Sequence, residues 1–433
     1  MRPFQLALIG IFVFLGIAGI GVFAVFKGFT GGSNPYGDRV VIWGTLDDGP
    51  FTAELARLIQ KDANLSVVSY VEKDERTFEG DLLNALAEGT GPDLIVLSQD
   101  MLLKHRSKIA PIPYEYFPER TYRDTYIDGA EVFMLKDGIY ATPLAVDPLM
   151  MYWNKDIFAT KNLSQPPRTW EELVGVTLPT VIERDYSFNI LRAAIAMGEY
   201  TNVHNAKEIL AMLFMQAGSP LVVDYGDRLA LEFSRTGGNE GEQPPALAGL
   251  TFYTSFSSPT KSVYSWNRAL PEDRNEFIAG DLALYFGFAS EIHEIRAGNP
   301  NFNFDVAELP QPADARLKKG YGTFYGLAAM RNSRNYNGAF LVRNILTSQS
   351  QVEGYAQELG FGPVYRASHG PVPQDPFMAV VARSSLVARG WLDPDKEASD
   401  AIFKQMVEDT TSGRTNISSA LNDAEGRLRQ LLR

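Results

Sequence analysis

The sequence predicts an α/β protein built from two lobes, each with helices packed around a mainly parallel sheet. Its 433 residues are too many for one ordinary hydrophobic core. From residue 39 onward, strand patterns alternate with amphipathic helix patterns, as in proteins with parallel sheets. Hydrophobic residues make up 45% of the chain and aromatic residues 12%, a composition that excludes wholesale disorder.

The first lobe begins with a regular alternation of strands and helices. Apolar or alternating runs at 39–44, 66–71 and 93–98 predict strands, and the last is almost continuously apolar, as in strands buried on both faces. Leu55, Leu58 and Ile59 share one face of a helix predicted at 51–62. A further helix begins at residue 78 and is expected to end at Gly89, where a glycine cap belongs.

Polar residues follow two of these strands directly. Thr45, Asp47 and Asp48 come after the first strand, and Gln99 and Asp100 come after the third. Because ligands of such sheets bind beyond the carboxyl ends of the strands, these residues are candidates for solute contacts. Each aspartate could equally serve as a helix N-cap, and the pattern alone does not separate the two roles.

An extended run at 137–156 carries an aspartate, Asp147, within an otherwise apolar stretch. Burying a carboxylate is costly unless hydrogen bonds satisfy it. The run is therefore either a strand that reaches the surface at Asp147 or a strand that crosses between two lobes and holds Asp147 at the mouth of a cleft.

The second half of the chain continues the mixture of strands and helices. Thr169 and Glu172 have the spacing of a capping box, which is a structural motif. The remaining patterns predict helices at 187–197, 206–217, 246–257, 275–280 and 336–347, strands at 282–286 and 305–310, a Gly-rich excursion at 221–245, and an amphipathic helical tail beyond residue 370.

Composition excludes several classes of function. The net charge of −12 is opposite to the basic surface that nucleic-acid binding requires. The chain has no cysteine, which excludes disulfides, thiol nucleophiles and cysteine-bound metals. Its four histidines are scattered, without the pairing that a metal site or a Ser-His-Asp triad needs. No metal and no cofactor is predicted.

The N-terminus predicts a membrane anchor. Residues 4–26 carry no charge and, as a helix, are long enough to span a hydrocarbon core of about 30 Å. Arg2 precedes this run, which favours an orientation with the N-terminus inside and the chain outside. We therefore predict a signal anchor at 1–27, a Gly-rich tether at 28–38, and a soluble region outside the cell membrane. The alternative is a cleaved signal peptide, which usually has a shorter apolar core.

Six motifs, taken in order, resemble the family 1 extracellular solute-binding proteins of ABC importers, the class that includes maltose-binding protein. They lie at 41–43, 91–96, 137–158, 166–173, 277–284 and 326–330, the last followed by a helix that ends near residue 348. Each motif alone is weak, but their joint order and spacing over residues 39–370 are specific to the family.

The resemblance implies a two-lobed periplasmic-binding-protein clamshell whose chain crosses the hinge three times. The crossings are expected near 145–147, 307–310 and 362–366. The N-terminal lobe would then comprise 38–146 with 308–362, and the C-terminal lobe 147–307 with 363–433.

The resemblance also implies a set of ligand-contacting positions. Asp47, Asp48, Asp100 and Asp147 match acidic or loop positions that contact solutes, while Tyr186 and Phe288 fall near aromatic positions that stack on sugar rings. Where the family often has tryptophan, this chain has Ala289. The predicted ligand-binding residues are Thr45, Asp47, Asp48, Gln99, Asp100, Asp147, Tyr186, Trp266, Gly287, Phe288 and Tyr325.

Carboxylates and aromatic rings together suit a neutral sugar, because carboxylates accept hydrogen bonds from hydroxyl groups and rings cover the apolar faces of the sugar. Trp266 and Tyr325 lie in polar or Gly-rich loops, where exposed rings are expected. We therefore expect a monomeric, non-enzymatic receptor that binds a sugar or oligosaccharide by hinge closure and delivers it to ABC permease subunits. The alternatives are a glycoside-active enzyme that uses the same carboxylates, a membrane-tethered sensor, or a receptor for a cationic solute.

Overall fold

A computed structural model describes residues 34–187, 189–226, 228–235, 243–370 and 372–432. The predicted membrane anchor at 1–27 lies outside these ranges, as does most of the tether at 28–38. Among the helices that the structure does describe, none combines the length and apolar character needed to cross a membrane.

The predicted strands are present, and the structure adds a long strand at Gly320–Ala329, where the sequence predicts a loop around Tyr325, together with one at Ile190–Ile195 and several short strands. The strands are β1 (Val40–Gly44), β2 (Val68–Glu72), β3 (Leu94–Ser98), β4 (Met134–Leu135), β5 (Gly138–Ile139), β6 (Thr142–Asn154), β7 (Glu183–Arg184), β8 (Ile190–Ile195), β9 (Val222–Asp224), β10 (Leu229–Leu231), β11 (Leu282–Phe288), β12 (Phe304–Ala307), β13 (Gly320–Ala329) and β14 (Ala388–Arg389).

The helices pack on both sides of these strands. They are α1 (Asp48–Lys61), α2 (Phe78–Glu88), α3 (Leu102–His105), α4 (Glu119–Thr125), α5 (Lys155–Thr160), α6 (Trp170–Glu172), α7 (Leu178–Val181), α8 (Ala206–Gln216), α9 (Pro245–Ser255), α10 (Asp273–Ala279), α11 (Ile292–Gly298), α12 (Tyr336–Leu346), α13 (Gln349–Leu359), α14 (Pro376–Val387), α15 (Lys396–Thr411) and α16 (Ile417–Leu431). Shorter 3-10 turns lie at Ala63–Val67, Gln99–Met101, Arg106–Lys108, Asp128–Phe133, Ala289–Glu291 and Arg366–His369, and a π-helical turn at Leu173–Thr177.

Ten strands join into one mixed sheet, whose main path runs β2-β1-β3-β13-β6-β11-β8-β7. β1 pairs in parallel with β2 and β3, and β11 does so with β8. The long strands β6 and β13 run antiparallel to each other, and they are also antiparallel to β11 and β3, respectively. The prediction of mainly parallel sheets is therefore wrong, because the two longest strands run in opposite directions through the centre.

The buried side chains form two separate hydrophobic clusters along this one sheet. The N-terminal core contains the apolar residues of β1 and β3, and the C-terminal core contains those of β8 and β11. β6 contributes to both clusters, with Val146 in the N-terminal core and Leu149 in the C-terminal core. β13 does the same, since Tyr321 belongs to the C-terminal core and Phe324 to the N-terminal core.

The predicted lobe boundaries stay predictions. The two clusters show, however, where along the chain the buried side chains pass from one core to the other. Along β6 this change lies around Asp147, as the sequence suggested. Leu309 still packs in the C-terminal core, so the second change falls within β13, beyond the expected crossing at 307–310. Val364 packs in the N-terminal core and Val380 in the C-terminal core, so the third change lies after residue 364.

Local signals gave most element ends correctly, with one clear error. Gly89 ends α2 with a positive φ of 69°, and the Thr169 hydroxyl accepts the Glu172 N–H at 3.1 Å. The helix predicted at 187–197 is wrong, because residues 190–195 form β8. Its alanines favour a helix, but pairing with β11 inside the C-terminal core overrides that local preference.

Substituting Gly362 by alanine is expected to destabilise the junction of the two cores. Gly362 exchanges backbone hydrogen bonds with Val146 at 2.7 and 3.1 Å. An added Cβ would lie 2.8 Å from the Ser385 Cβ and 3.2 Å from a Val146 methyl group. We expect Gly362→Ala to lower the free energy of unfolding in urea by about 1–3 kcal/mol, the usual cost of overpacking.

The matched control is Gly175→Ala, because a Cβ at Gly175 would meet no atom within 4 Å. That variant should be neutral or slightly stabilised, since alanine has the higher helix propensity. Equal unfolding curves for the two variants would show that Gly362 is not tightly enclosed.

Candidate functional site

Two predicted ligand-binding residues, Gln99 and Asp100, follow β3, and their side chains lie in different environments. Gln99 is fully buried, and its side-chain oxygen accepts the Phe324 N–H of β13. Its amide therefore ties the end of β3 to β13, a role that leaves it no exposed surface for a solute. Asp100 is partly exposed, accepts a hydrogen bond from the Ser98 hydroxyl, and lies 3.6 Å from the Lys396 ammonium.

Asp147 is buried where β6 passes from one core to the other. Its side chain accepts the Ser290 N–H at 3.1 Å, and its backbone pairs with Thr323 of β13. The alternative in which the strand surfaces at Asp147 is wrong, because the residue is only 4% exposed. Burial raises the pKa of the Asp147 carboxyl to about 7, although the hydrogen bonds from Ser290 oppose that rise.

The first turn of α8 presents two charged residues that the sequence analysis missed. The Lys207 ammonium is buried and lies 3.1 Å from an Asp393 carboxylate oxygen, which also accepts the Ser399 hydroxyl at 2.6 Å. Beside it, Glu208 is half-buried, and burial raises the pKa of its carboxyl. No motif marks these residues, because the pairing depends on segments almost 190 positions apart in the chain.

Charged side chains also connect the two cores directly. Lys396, in the first turn of α15, lies 2.5 Å from Glu75, a residue that follows β2. In the reverse direction, Lys104 of α3 lies 2.8 Å from Asp395 and 3.4 Å from Glu397. Each lysine therefore reaches carboxylates of the opposite core.

The loop after β1 holds the other predicted acidic residues. The Asp47 carboxylate accepts the Gly49 N–H at 2.7 Å and caps α1, and the Asp48 N–H donates to Glu72 at 3.0 Å. Both side chains are exposed, and Thr45 beside them is half-buried. The helix-cap role that the sequence left open for Asp47 is present.

The predicted aromatic residues occupy very different environments. Tyr186 lies fully exposed in the turn between β7 and β8, and Tyr325 is half-buried with its ring stacked on Phe361 at 5.5 Å. Trp266 is completely buried in the C-terminal core, so the exposure expected from its loop position is absent. Phe288 keeps a half-buried ring 6.2 Å from that of Tyr321.

At Gly287, neighbouring side chains fill the space that a Cβ atom would occupy. A Cβ at this position would lie 3.2 Å from a Glu291 carboxylate oxygen and would also collide with the Tyr285 ring. The Glu291 carboxylate accepts the Phe288 N–H at 2.7 Å and the Tyr285 hydroxyl. Gly287 thus helps to fix the backbone that presents Phe288.

A cavity of about 710 Å³ also lies between the two cores. Glu131 and Asp128 line one side, and Leu221 and Trp391 line the other. Asp128 accepts a hydrogen bond from Arg389 at 2.7 Å, so this side of the junction is held by a charged pair as well.

Comparison with known proteins identifies the family to which this architecture belongs. The family model for bacterial extracellular solute-binding proteins matches residues 54–378. The chain belongs to this family. The resemblance inferred from the six motifs is therefore confirmed, and the two cores with their connecting strands are those of a solute-binding protein.

Individual relatives of this solute-binding protein are distant. A binding protein of Brucella abortus (strain 2308) is 21% identical over 365 residues, covering 81% of this chain and 82% of the relative. The sn-glycerol-3-phosphate-binding periplasmic protein of Salmonella typhimurium is 22% identical over 306 residues, covering 66% and 65%. The crystal structure of a cyclic alpha-maltosyl-1,6-maltose binding protein from Arthrobacter globiformis has the same fold, with a TM-score of 0.73, 17% identity, and coverage of 91% and 98%.

The contribution of two buried carboxyl groups to the stability of this solute-binding protein should fall as the pH rises from about 4 to about 7. Burial raises the pKa of both Asp147 and Asp273 to about 7, against about 3.9 for an unfolded aspartate. At these two sites the folded state therefore binds more protons than the unfolded state between about pH 4 and pH 7. Their contribution to the free energy of unfolding is fully present below about pH 4 and is lost as the pH rises through 7.

Asp147→Asn and Asp273→Asn should each remove part of this loss, because the amide oxygen can still accept the same backbone hydrogen bonds. We expect each variant to gain about 2–4 kcal/mol relative to wild type at pH 8, and much less at pH 5, in urea denaturation. The exposed Asp314→Asn is the control. A difference between variant and wild type that is the same at pH 5 and pH 8 would contradict the raised pKa values.

Proposed function

We propose that this protein is the extracytoplasmic receptor of an ABC importer and that its solute is a neutral sugar or oligosaccharide. The observation that carries the proposal is the arrangement of polar side chains on both sides of the junction. Asp100 belongs to the N-terminal side and lies 3.6 Å from the Lys396 ammonium of the C-terminal side, where Glu208 is half-buried beside Lys207. A solute between Asp100 and Glu208 would contact both cores at once.

Hinge closure is the mechanism that this arrangement supports. β6 and β13 connect the two cores, and their pairing keeps the junction together while the cores change their separation. A solute that contacts both cores has more contacts in the closed state, so its differential affinity stabilises closure. The closed form would then be the one recognised by the permease subunits.

The charge balance at the junction supports a neutral solute. The Lys207 ammonium is paired with Asp393 inside the C-terminal core, so it is not free to bind an anion. Asp100 and Glu208 would repel phosphate or carboxylate groups, yet each can accept hydrogen bonds from paired hydroxyl groups. The half-buried Phe288 ring supplies an apolar face of the kind that sugar rings cover.

The relatives support two classes of solute. The structural neighbour from Arthrobacter globiformis binds a maltosyl sugar, and the Salmonella relative binds sn-glycerol 3-phosphate. We favour the sugar because the three lysines described above, Lys104, Lys207 and Lys396, are each already paired with carboxylates. None of these three is left to bind a phosphate group. The glycoside-active enzyme and the membrane-tethered sensor remain the alternatives, and membership of a binding-protein family favours the receptor over the enzyme.

A solute screen tests this proposal. The purified protein is heated with maltotriose, maltotetraose, sn-glycerol 3-phosphate or spermidine, and hits are measured by calorimetric titration. We expect a rise in melting temperature with a neutral sugar and no release of new reducing ends. A rise with sn-glycerol 3-phosphate alone would overturn the sugar, and sugar cleavage would overturn the receptor.

Asp100→Asn is expected to weaken binding of the sugar found in that screen by roughly tenfold, the scale of one hydrogen bond to a charged group. The asparagine keeps the size of the side chain but loses the charge and one acceptor. Asp314→Asn serves as the control because that side chain is exposed on a distant loop. Unchanged affinity in Asp100→Asn would remove this residue from the solute contacts.

The uncharged segment at 4–26 further supports a membrane-tethered receptor. We expect the full-length chain, produced in a bacterial host, to sediment with membranes and to resist carbonate extraction. A variant with two aspartates replacing Leu15 and Ile17 is the control, because charges within the span should prevent stable anchoring. Recovery of a soluble chain that begins after residue 26 would mean that the segment is cleaved.

A further inference from the structure

Lys396 crosses the junction from the C-terminal core. It lies in the first turn of α15, whose Ile402 and Phe403 pack in that core. Its ammonium lies 2.5 Å from Glu75 and 3.6 Å from Asp100, and both of these carboxylates belong to loops of the N-terminal side. The side chain therefore places a positive charge of one core among the negative charges of the other.

Two carboxylates share this one ammonium. Glu75 and Asp100, both of the N-terminal side, each form an ion pair with Lys396. The other nearby cation, Lys207, is 5% exposed and is held by Asp393, the Ser399 hydroxyl and a backbone carbonyl. Lys207 is thus committed inside the C-terminal core, and the balance of charge at the junction depends on Lys396.

Lys104 makes a comparable contact at the edge of the junction, but with different carboxylates. It pairs with Glu79 of its own core at 2.7 Å and with Asp395 and Glu397 of the other core. Both lysines connect the cores, whereas only Lys396 contacts Asp100. Both lysines can therefore stabilise closure, whereas of the two only Lys396 can change the charge around a solute that contacts Asp100.

We propose that Lys396 is a specificity-determining residue whose ammonium occupies the position, between Glu75 and Asp100, that a cationic solute would otherwise take. This inference rests on the proposed function, since it explains why a junction rich in carboxylates accepts neutral solutes. The lysine is a positioning and charge-balancing group: it satisfies carboxylates of the N-terminal side and still leaves their remaining lone pairs free to accept hydroxyl groups.

Removing the ammonium should convert the junction into a binding site for cations. Lys396→Met keeps most of the aliphatic chain and its packing while deleting the charge. Glu75 and Asp100 are then left without their shared partner, and a polyamine can supply the missing positive charge. Because such an attraction is electrostatic, it should weaken as the salt concentration rises.

The experiment is a calorimetric titration of spermidine into the full-length protein at 50 mM and 300 mM salt. We expect Lys396→Met to bind spermidine at least tenfold more tightly than wild type at the lower salt, and the gain to shrink at the higher salt. Lys396→Arg should reject spermidine as wild type does, because the positive charge is retained.

Two further variants distinguish a specific role of Lys396 from a general effect of net charge. Lys404→Met removes an exposed lysine about two turns further along α15 and should leave spermidine binding unchanged. Lys104→Met should weaken binding of the neutral sugar, by about three- to tenfold, without gaining spermidine. An equal gain in Lys404→Met or Lys104→Met would overturn the proposal, because the effect would then follow net charge alone.

The outcome also distinguishes this inference from the proposed function. If wild type binds a sugar and Lys396→Met gains no spermidine, the role of Lys396 is wrong and the receptor stands. If wild type binds no sugar and Lys396→Met gains spermidine, the cation-excluding role stands and the sugar is wrong. Melting temperatures of all variants, measured alongside, verify that each is folded.

Discussion

The hydrogen bonding of β6 to strands of both halves is the constraint on which the rest of the structure depends. One end of this strand pairs with β13 beside the N-terminal core, and the other pairs with β11 and β12 in the C-terminal core. All but one of its residues are buried. The two cores are therefore joined through a continuous sheet.

That constraint gives Asp147 its unusual setting. A carboxylate at the centre of a buried strand is tolerated because the backbone at Ser290 donates to it and because its pKa is raised by burial. The bond ties the crossing strand to the 3-10 turn at Ala289–Glu291, which follows Phe288. The crossing strand and the turn after Phe288 are thus held by one polar contact, and Asp147 itself has little surface left for a solute.

Around this strand, charge is distributed so that each core depends on the other. Isolated surface ion pairs contribute little to stability, whereas networks with partly buried members contribute more. Lys396 and Lys104 extend in opposite directions across the junction, and each contacts at least two carboxylates. These contacts hold the two cores together in the structure.

The sequence by itself determined the elements and the family of this protein. Local patterns specified most of the longer helices and the strands β1, β2, β3, β6, β11 and β12, because apolar spacing, glycine ends and N-caps act within a few residues. The family motifs then identified the fold. Only the tertiary structure decided that β8 is a strand, that Trp266 is buried, that Gln99 is a structural tie, and that Lys207, Glu208 and Lys396 lie at the junction. Those features depend on contacts between residues far apart in the chain, and for such contacts a single sequence carries no local signal.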